Sequence, residues 1–253
     1  MLDDNQLRSY ALAEIERLVQ KHGKNMKDDY PMMPRPDVSS IHHAQNMLLY
    51  GELSYNRGDV EIEHGRLMST MTAEQKKVYD TIIKRVNSKR PGFFFVYGYG
   101  GTGKTFIWRA LSSALCSKGD IVLTVASSSI AALFIPGGRT AHSRFGLPIS
   151  IDELSTCGID PKSHLAQLII QTKLIIWDEE PMMHKHCFEA LDRSMRDILR
   201  DQNGGRLDIP IGGKVVVLGG DFRQVLSVIP KATRQEVCNA TINSSHLWHF
   251  VRF

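Results

Sequence analysis

The stretch FFFVYGYGGTGKTF, residues 93–106, runs five apolar or aromatic residues straight into a loop with four glycines in six positions and then a Lys-Thr pair. A stiff buried strand, a turn of high backbone freedom and a helix start follow one another in the order that phosphate binding requires. GYGGTGKT, residues 98–105, matches G-x-x-x-x-G-K-[ST], in which backbone N–H groups point inward around phosphates. Gly98 and Gly103 hold the template positions, and Gly100 and Gly101 are expected to supply positive φ angles and close backbone approach. Thr102 completes the turn, and the positive end of the following helix adds attraction for a polyanion. Lys104 would reach the β and γ phosphates, and the Thr105 hydroxyl would bind Mg²⁺. A glycine turn that merely joins strand to helix is the competing reading, and the strand–loop–helix context favours a nucleotide.

Working outward, further apolar runs at 121–126 (IVLTVA), 174–177 (LIIW) and 214–218 (KVVVL) read as buried strands. Helical periodicity separates them near 104–117, 163–171 and 185–200, and another helix precedes the loop with Val78, Tyr79, Ile82, Ile83 and Val86 on one face. Short, fully apolar strands alternating with helices predict an α/β domain whose parallel sheet is covered on both faces. Upstream, Leu7, Ala11, Ile15 and Leu18 predict an amphipathic helix. Three prolines within residues 31–36 then favour an extended connector. The expected division is a helical N-terminal extension and linker, 1–66, followed by the α/β domain, 67–253.

The second half of a nucleotide site should be an acid at the tip of another buried strand, and LIIWDEE supplies it. Asp178 would position Mg²⁺, and Glu179 would orient or deprotonate the attacking water. After the next strand, LGGDFRQ places Gln224 where an amide can bond the γ-phosphate or that water.

Composition sets the outer limits. The chain has 253 residues, 42% hydrophobic and 23% charged, with net charge +4. The values suit a folded globular protein, and the modest positive charge does not by itself indicate a polyanionic partner. The cysteines at 116, 157, 187 and 238 form no Cys-x-x-Cys pair, which argues against a zinc ribbon or a disulfide framework. No apolar leader or membrane-length segment occurs, so an intracellular, soluble protein is expected. His184, His186 and Cys187 lack the i, i+4 spacing of ligands on one helical face and are better read as helix-start packing. The basic run 84–90, KRVNSKR, suits a solvated helix end better than a nuclear address or a nucleic-acid patch. His42 and His43 carry no partner pattern.

Five blocks, MTAEQKKVYD, GYGGTGKT, GGRTAHSRFGLPI, LIIWDEEPMMHKHCFEALDRSMRDIL and VVVLGGDFRQVLSVIPKATRQE, together resemble the petite-integration-frequency family of 5′-to-3′ DNA helicases, in particular its plant and Helitron-type members. The resemblance implies a RecA-like P-loop ATPase domain using ATP and Mg²⁺, with single-stranded DNA as partner. It further implies roles in repair, recombination and telomere maintenance, and a nuclear or else mitochondrial site. Gln75 matches the family's adenine-reading glutamine, while Thr72-Ala73-Glu74-Gln75 is equally a capping box. Residues 126–145 resemble the single-strand contact region, with Ser127, Ser128, Arg139, Thr140 and His142 as candidate phosphate contacts. Ser129, Glu180 and Ser227 depart from the family pattern. Glu180 is expected to crowd the metal site by like-charge repulsion, and the serines to loosen stiff loops.

Family members also carry a second RecA-like domain that supplies arginine fingers. Without such arginines, ATP binding is expected to survive better than unwinding. Two alternatives stay open. One is another P-loop enzyme, although the guanine-reading Asn-Lys-x-Asp is absent. The other is a fragment that binds ATP or DNA without unwinding.

Overall fold

A computed structural model describes residues 4–21, 23–36, 46–224 and 227–252. His42 and His43 lie outside the described residues. The chain divides into two compact units, Met1–Ser54 and Tyr55–Phe253.

The first unit is helical, with α1 (Asp4–Lys21) and α2 (Met47–Leu53). The expected apolar stripe of α1 is not its buried face. Ile15 and Leu18 are 38% and 49% exposed and Ala11 is exposed, whereas Leu12 is buried. The side chain of Leu7 is not among those described. Leu12, which lies about 100° round the helix from Ala11, is the residue that turns inward.

The second unit opens with α3 (Arg57–Thr70) and α4 (Ala73–Asn87). Helix α3 spans residue 66, the expected end of the extension, and its buried Leu67 joins the core of the sheet domain. Then come β1 (Gly92–Tyr97), α5 (Lys104–Cys116), β2 (Ile121–Ala126), α6 (Ser129–Leu133), β3 (Arg139–Thr140), α7 (Ala141–Phe145), α8 (His164–Gln171), β4 (Thr172–Asp178), α9 (Lys185–Ile198), β5 (Val215–Gly220), α10 (Arg234–Asn239) and β6 (Val251–Arg252). The six strands form one sheet in the order β3-β2-β4-β5-β1-β6, and every pairing is parallel. The expected strands and helices are all present. The two-residue strands β3 and β6 were not foreseen, because so short a run carries no readable period.

The strands are apolar throughout because alternate side chains enter two different cores. On one face Phe94, Val122, Leu174, Ile176, Val215 and Val217 pack with residues of α3, α4 and α5, including Trp108 and Leu111. On the other, Trp177 stacks 4.5 Å from Phe188 of α9 and 6.0 Å from Phe145 of α7, and Phe95 lies 5.1 Å from Phe222. Each such fully buried side chain contributes roughly 1.5–3 kcal/mol. The strand order sets β5 between β1 and β4, so the loop after β1 and the acids ending β4 flank the tip of β5. That is the carboxyl edge where open parallel sheets bind ligands. Among the described residues no helix is long and apolar enough to cross a membrane.

Candidate active site

The loop between β1 and α5 is shaped by its glycines, although not all those singled out from sequence. Gly101 (φ 82°) and Gly103 (φ 86°) occupy the left-handed region, where a Cβ is costly. Gly100 does not, and its expected positive φ passes to Gly103. Gly98 is required by space, since a Cβ there would stand 2.5 Å from Thr102 Oγ1. That hydroxyl donates to the Tyr99 carbonyl at 2.8 Å and pins the turn.

Gly103 begins α5 without a side-chain cap, and the first helical bond runs from Ile107 N–H to the Gly103 carbonyl at 3.1 Å. The N–H groups of residues 104–106 therefore lack a helical acceptor and present the positive end of the helix dipole. Lys104 is buried, and its Nζ donates to the carbonyls of Gly98 at 2.6 Å and Tyr99 at 3.3 Å. The ammonium is thus held at the loop by backbone acceptors that a phosphate could replace.

Asp178 ends β4. It is 6% exposed, and its Oδ1 has no hydrogen-bond partner among the described residues. Burial pushes its carboxyl above the ordinary range, while the neighbouring Trp108 indole N–H, the Glu179 N–H and the Lys104 charge pull the other way. The indole closes no hydrogen bond among the described residues, where Trp108 Nε1 is buried without a partner. The Lys104 charge acts on Asp178, and the strand order sets the loop after β1 and the tip of β4 on either side of β5. Glu179 adopts a left-handed conformation (φ 53°, ψ 40°), a strained geometry for a residue with a side chain. Its carboxyl is also raised, by burial first and then by Asp178, with Asp221 adding and Lys104 opposing.

Two glycines on β5 make room for this corner. A Cβ on Gly219 would stand 2.3 Å from Trp108 Cζ2, and one on Gly220 would stand 2.2 Å from Pro181 Cδ. After β5, Gln224 comes to the loop, with its Nε2 3.5 Å from where a Gly100 Cβ would be. Arg223, unremarked in the sequence, joins the same side by donating to the Tyr99 hydroxyl at 2.8 Å. An arginine after a strand has no motif to announce it.

Gln75 closes the expected capping box and also lies beside the phosphate loop. Its Oε1 accepts from Thr72 N–H at 3.1 Å and its N–H donates to Thr72 Oγ1 at 3.3 Å, closing the capping box. Its Nε2 reaches the Thr102 carbonyl at 3.5 Å, beside Gly103.

The buried, unpartnered Asp178 Oδ1 and the Thr105 hydroxyl, which engages no acceptor among the described residues, suit a hard cation with oxygen ligands. Glu180 is fully buried, neither of its carboxyl oxygens has a partner among the described residues, and burial raises its carboxyl well above the usual range. Ser129 does not sit in a loop. It is the first residue of α6, whose N-cap is Ser128. Ser227 is buried, and its hydroxyl has no partner among the described residues.

The proposed strand contacts fall into two kinds. The register Val125↔Arg139 and Ala126↔Thr140 brings the end of β2 beside β3. Ser127 accepts from Trp177 Nε1 at 3.1 Å and its N–H donates to the Asp178 carbonyl at 3.1 Å, so it braces the acidic strand tip. Ser128 and Thr140 cap α6 and α7 through Ala131 N–H and Ser143 N–H. Arg139 is exposed and His142 half-buried, with no side-chain partner among the described residues. Elsewhere, His184 caps α9 by accepting from His186 N–H at 3.2 Å, and burial pushes the Cys187 thiol up to about 12.

The PIF1-like helicase family matches residues 70–253. The ATP-dependent DNA helicase PIF4 of Trypanosoma brucei brucei is 33% identical over 147 residues, which are 56% of this chain and 17% of that protein. The Pif1 helicase from Candida albicans has a solved structure that is 27% identical, with a TM-score of 0.51 over 72% of this chain and 38% of that one. The Bacteroides Pif1 helicase solved with ADP-AlF3 and ssDNA shares the fold, with a TM-score of 0.57 and 24% identity over 72% of this chain and 40% of that one. The chain therefore spans under a fifth of the curated relative's length and about two fifths of the solved chains. It belongs to the PIF1-like helicase family.

Proposed function

We propose that the chain forms the ATP-binding portion of an ATP-dependent DNA helicase. It would couple Mg²⁺-dependent ATP hydrolysis to 5′-to-3′ movement on single-stranded DNA. The observation that supports this most is the shared site of Lys104, the uncapped start of α5 and the orphaned Asp178 oxygen, with Glu179 one residue on. The amides of 103–106 and Lys104 would hold the triphosphate. Thr105 and Asp178 would hold the metal, which neutralises developing charge on the phosphates when bound. Glu179, with its raised carboxyl, would accept a proton from the attacking water. Gln224 would sense the γ-phosphate, and Arg139 and His142 would contact the strand. Roles in repair, recombination and telomere maintenance, and a nuclear or mitochondrial site, follow from kinship and belong to the proposal.

The test is turnover of ATP, GTP, CTP and UTP by the full chain, with and without an oligothymidine. The proposal expects ATP to be preferred and its turnover to rise with the oligonucleotide. Equal use of all four nucleotides, with no response to DNA, would contradict it. ATP affinity without turnover would favour a binding role instead.

A further inference from the structure

The end of β1 remote from the nucleotide loop carries a second charged feature. The run 84–90 closes α4 and leads into β1, and Lys89, left-handed at φ 51°, ends the helix between them. Sequence alone suits a solvated helix end, but the fold makes a groove there of about 490 Å³. Lys84, Arg85 and Arg90 line it, and Arg252 joins them from β6. Thr81 and Ser88 add hydroxyls, Phe94 adds an aromatic ring, and no carboxylate among the described residues lines the groove.

The four cations are placed rather than merely near. Arg252 is fixed by the parallel pairing of β6 with Phe94. Arg85 lies across the start of β1, where a Cβ on Gly92 would come within 2.7 Å of its Cγ. Lys84, Arg90 and Arg252 are exposed, and none of the four has an acidic partner among the described residues. Like charges gathered on low-dielectric walls focus a positive potential that favours an anion. Phe94, which lines the groove, precedes Gly98 by four residues, so the groove lies roughly 13 Å along β1 from the start of the phosphate loop, and no residue of that loop lines it.

We propose that this groove binds phosphodiester groups of nucleic acid, giving the chain a backbone contact apart from its nucleotide site. Side chains that meet only phosphates position a strand without reading its bases. The inference rests on the helicase reading only for the choice of nucleic acid as the polyanion.

The test uses the full chain and a labelled oligothymidine, followed by anisotropy over a salt series from about 50 to about 200 mM. The double variant Lys84→Gln/Arg90→Gln should bind more weakly. It should also lower the magnitude of the log affinity against log salt slope by about 1.4, two phosphate contacts at about 0.7 each. Arg252→Gln, on β6, should lower it by about half as much. The charge-matched control Lys118→Gln/Lys162→Gln, at exposed cations outside the groove, should leave the slope unchanged. ATP affinity should be the same in all four proteins. An unchanged slope in the groove variants, or an equal fall in the control, would overturn the proposal. So would displacement of the oligonucleotide by poly-glutamate that the double variant abolishes, which would assign the groove to an acidic protein partner. Failure of DNA to stimulate ATP turnover would sink the helicase reading while leaving this affinity measurement intact.

Discussion

Asp178 and Gly219 meet at the tips of adjacent strands, so closely that a Cβ on Gly219 would stand 3.2 Å from Asp178 Oδ1 as well as 2.3 Å from the Trp108 ring. The indole is fully buried and cannot withdraw. Gly219→Ala must therefore move the ring, the carboxylate or β5 itself. Overpacking of this kind costs about 1–3 kcal/mol, and displacement of Asp178, the acid proposed to hold the metal, should lower ATP turnover by about 10²-fold. Urea unfolding and steady-state turnover on the same sample would check both. An alanine that leaves both unchanged would refute the role of this glycine.

Glu179 is held in a strained backbone conformation with a raised carboxyl, the state expected of a proton acceptor rather than a structural acid. Glu179→Gln keeps the shape and removes the basicity. Turnover should fall by about 10²- to 10⁴-fold, with ATP affinity retained. Equilibrium binding of a fluorescent ATP analogue beside single-turnover hydrolysis separates the two quantities.

Gln75 combines a helix cap with a position beside the phosphate loop, and a glutamate can tell the roles apart. Gln75→Glu preserves the capping box, so helix stability should hold, but it replaces the amide available to a base edge. ATP should lose its advantage over GTP while the melting temperature stays put. Gln75→Ala should lose the preference and also about 1 kcal/mol of stability. Unaltered nucleotide preference in both variants would leave Gln75 as a cap alone.

Lys214 supplies a pH signature of the fold. Its Nζ donates to the carbonyls of Ile170 and Thr172 at 2.7 and 2.9 Å, and burial lowers its pKa from 10.5 to about 8. The folded state releases this proton before the unfolded state does. Its destabilising charge is fully present below about pH 8 and is relieved as pH rises toward 10.5, by at most about 3 kcal/mol. Stability of the native chain relative to Lys214→Met, measured by urea at several pH values, should rise across that window. A constant difference would contradict the assignment.

What the sequence disclosed follows from the range of each interaction. The phosphate loop, its strand and the acids 178 and 179 were legible because that chemistry needs particular residues contiguous in the chain. The four long strands were legible because both of their faces are buried. The inward turn of Leu12 and the left-handed geometry at Gly103 rather than Gly100 depend on how the whole chain packs and not on a local pattern. So does the company that Arg252 gives to Lys84, since 168 positions separate them. The capping of α6 and α7 by Ser128 and Thr140 is local, since each hydroxyl meets an N–H three residues on.

The central claim is that Lys104 and the amides around it grip a triphosphate. The most direct measurement is equilibrium binding of ATP to Lys104→Ala beside the parent chain. Removing the ammonium deletes charge-assisted hydrogen bonds worth about 1.5–3 kcal/mol, so affinity should fall by about ten- to a hundredfold. Undiminished affinity in the folded variant would contradict the account.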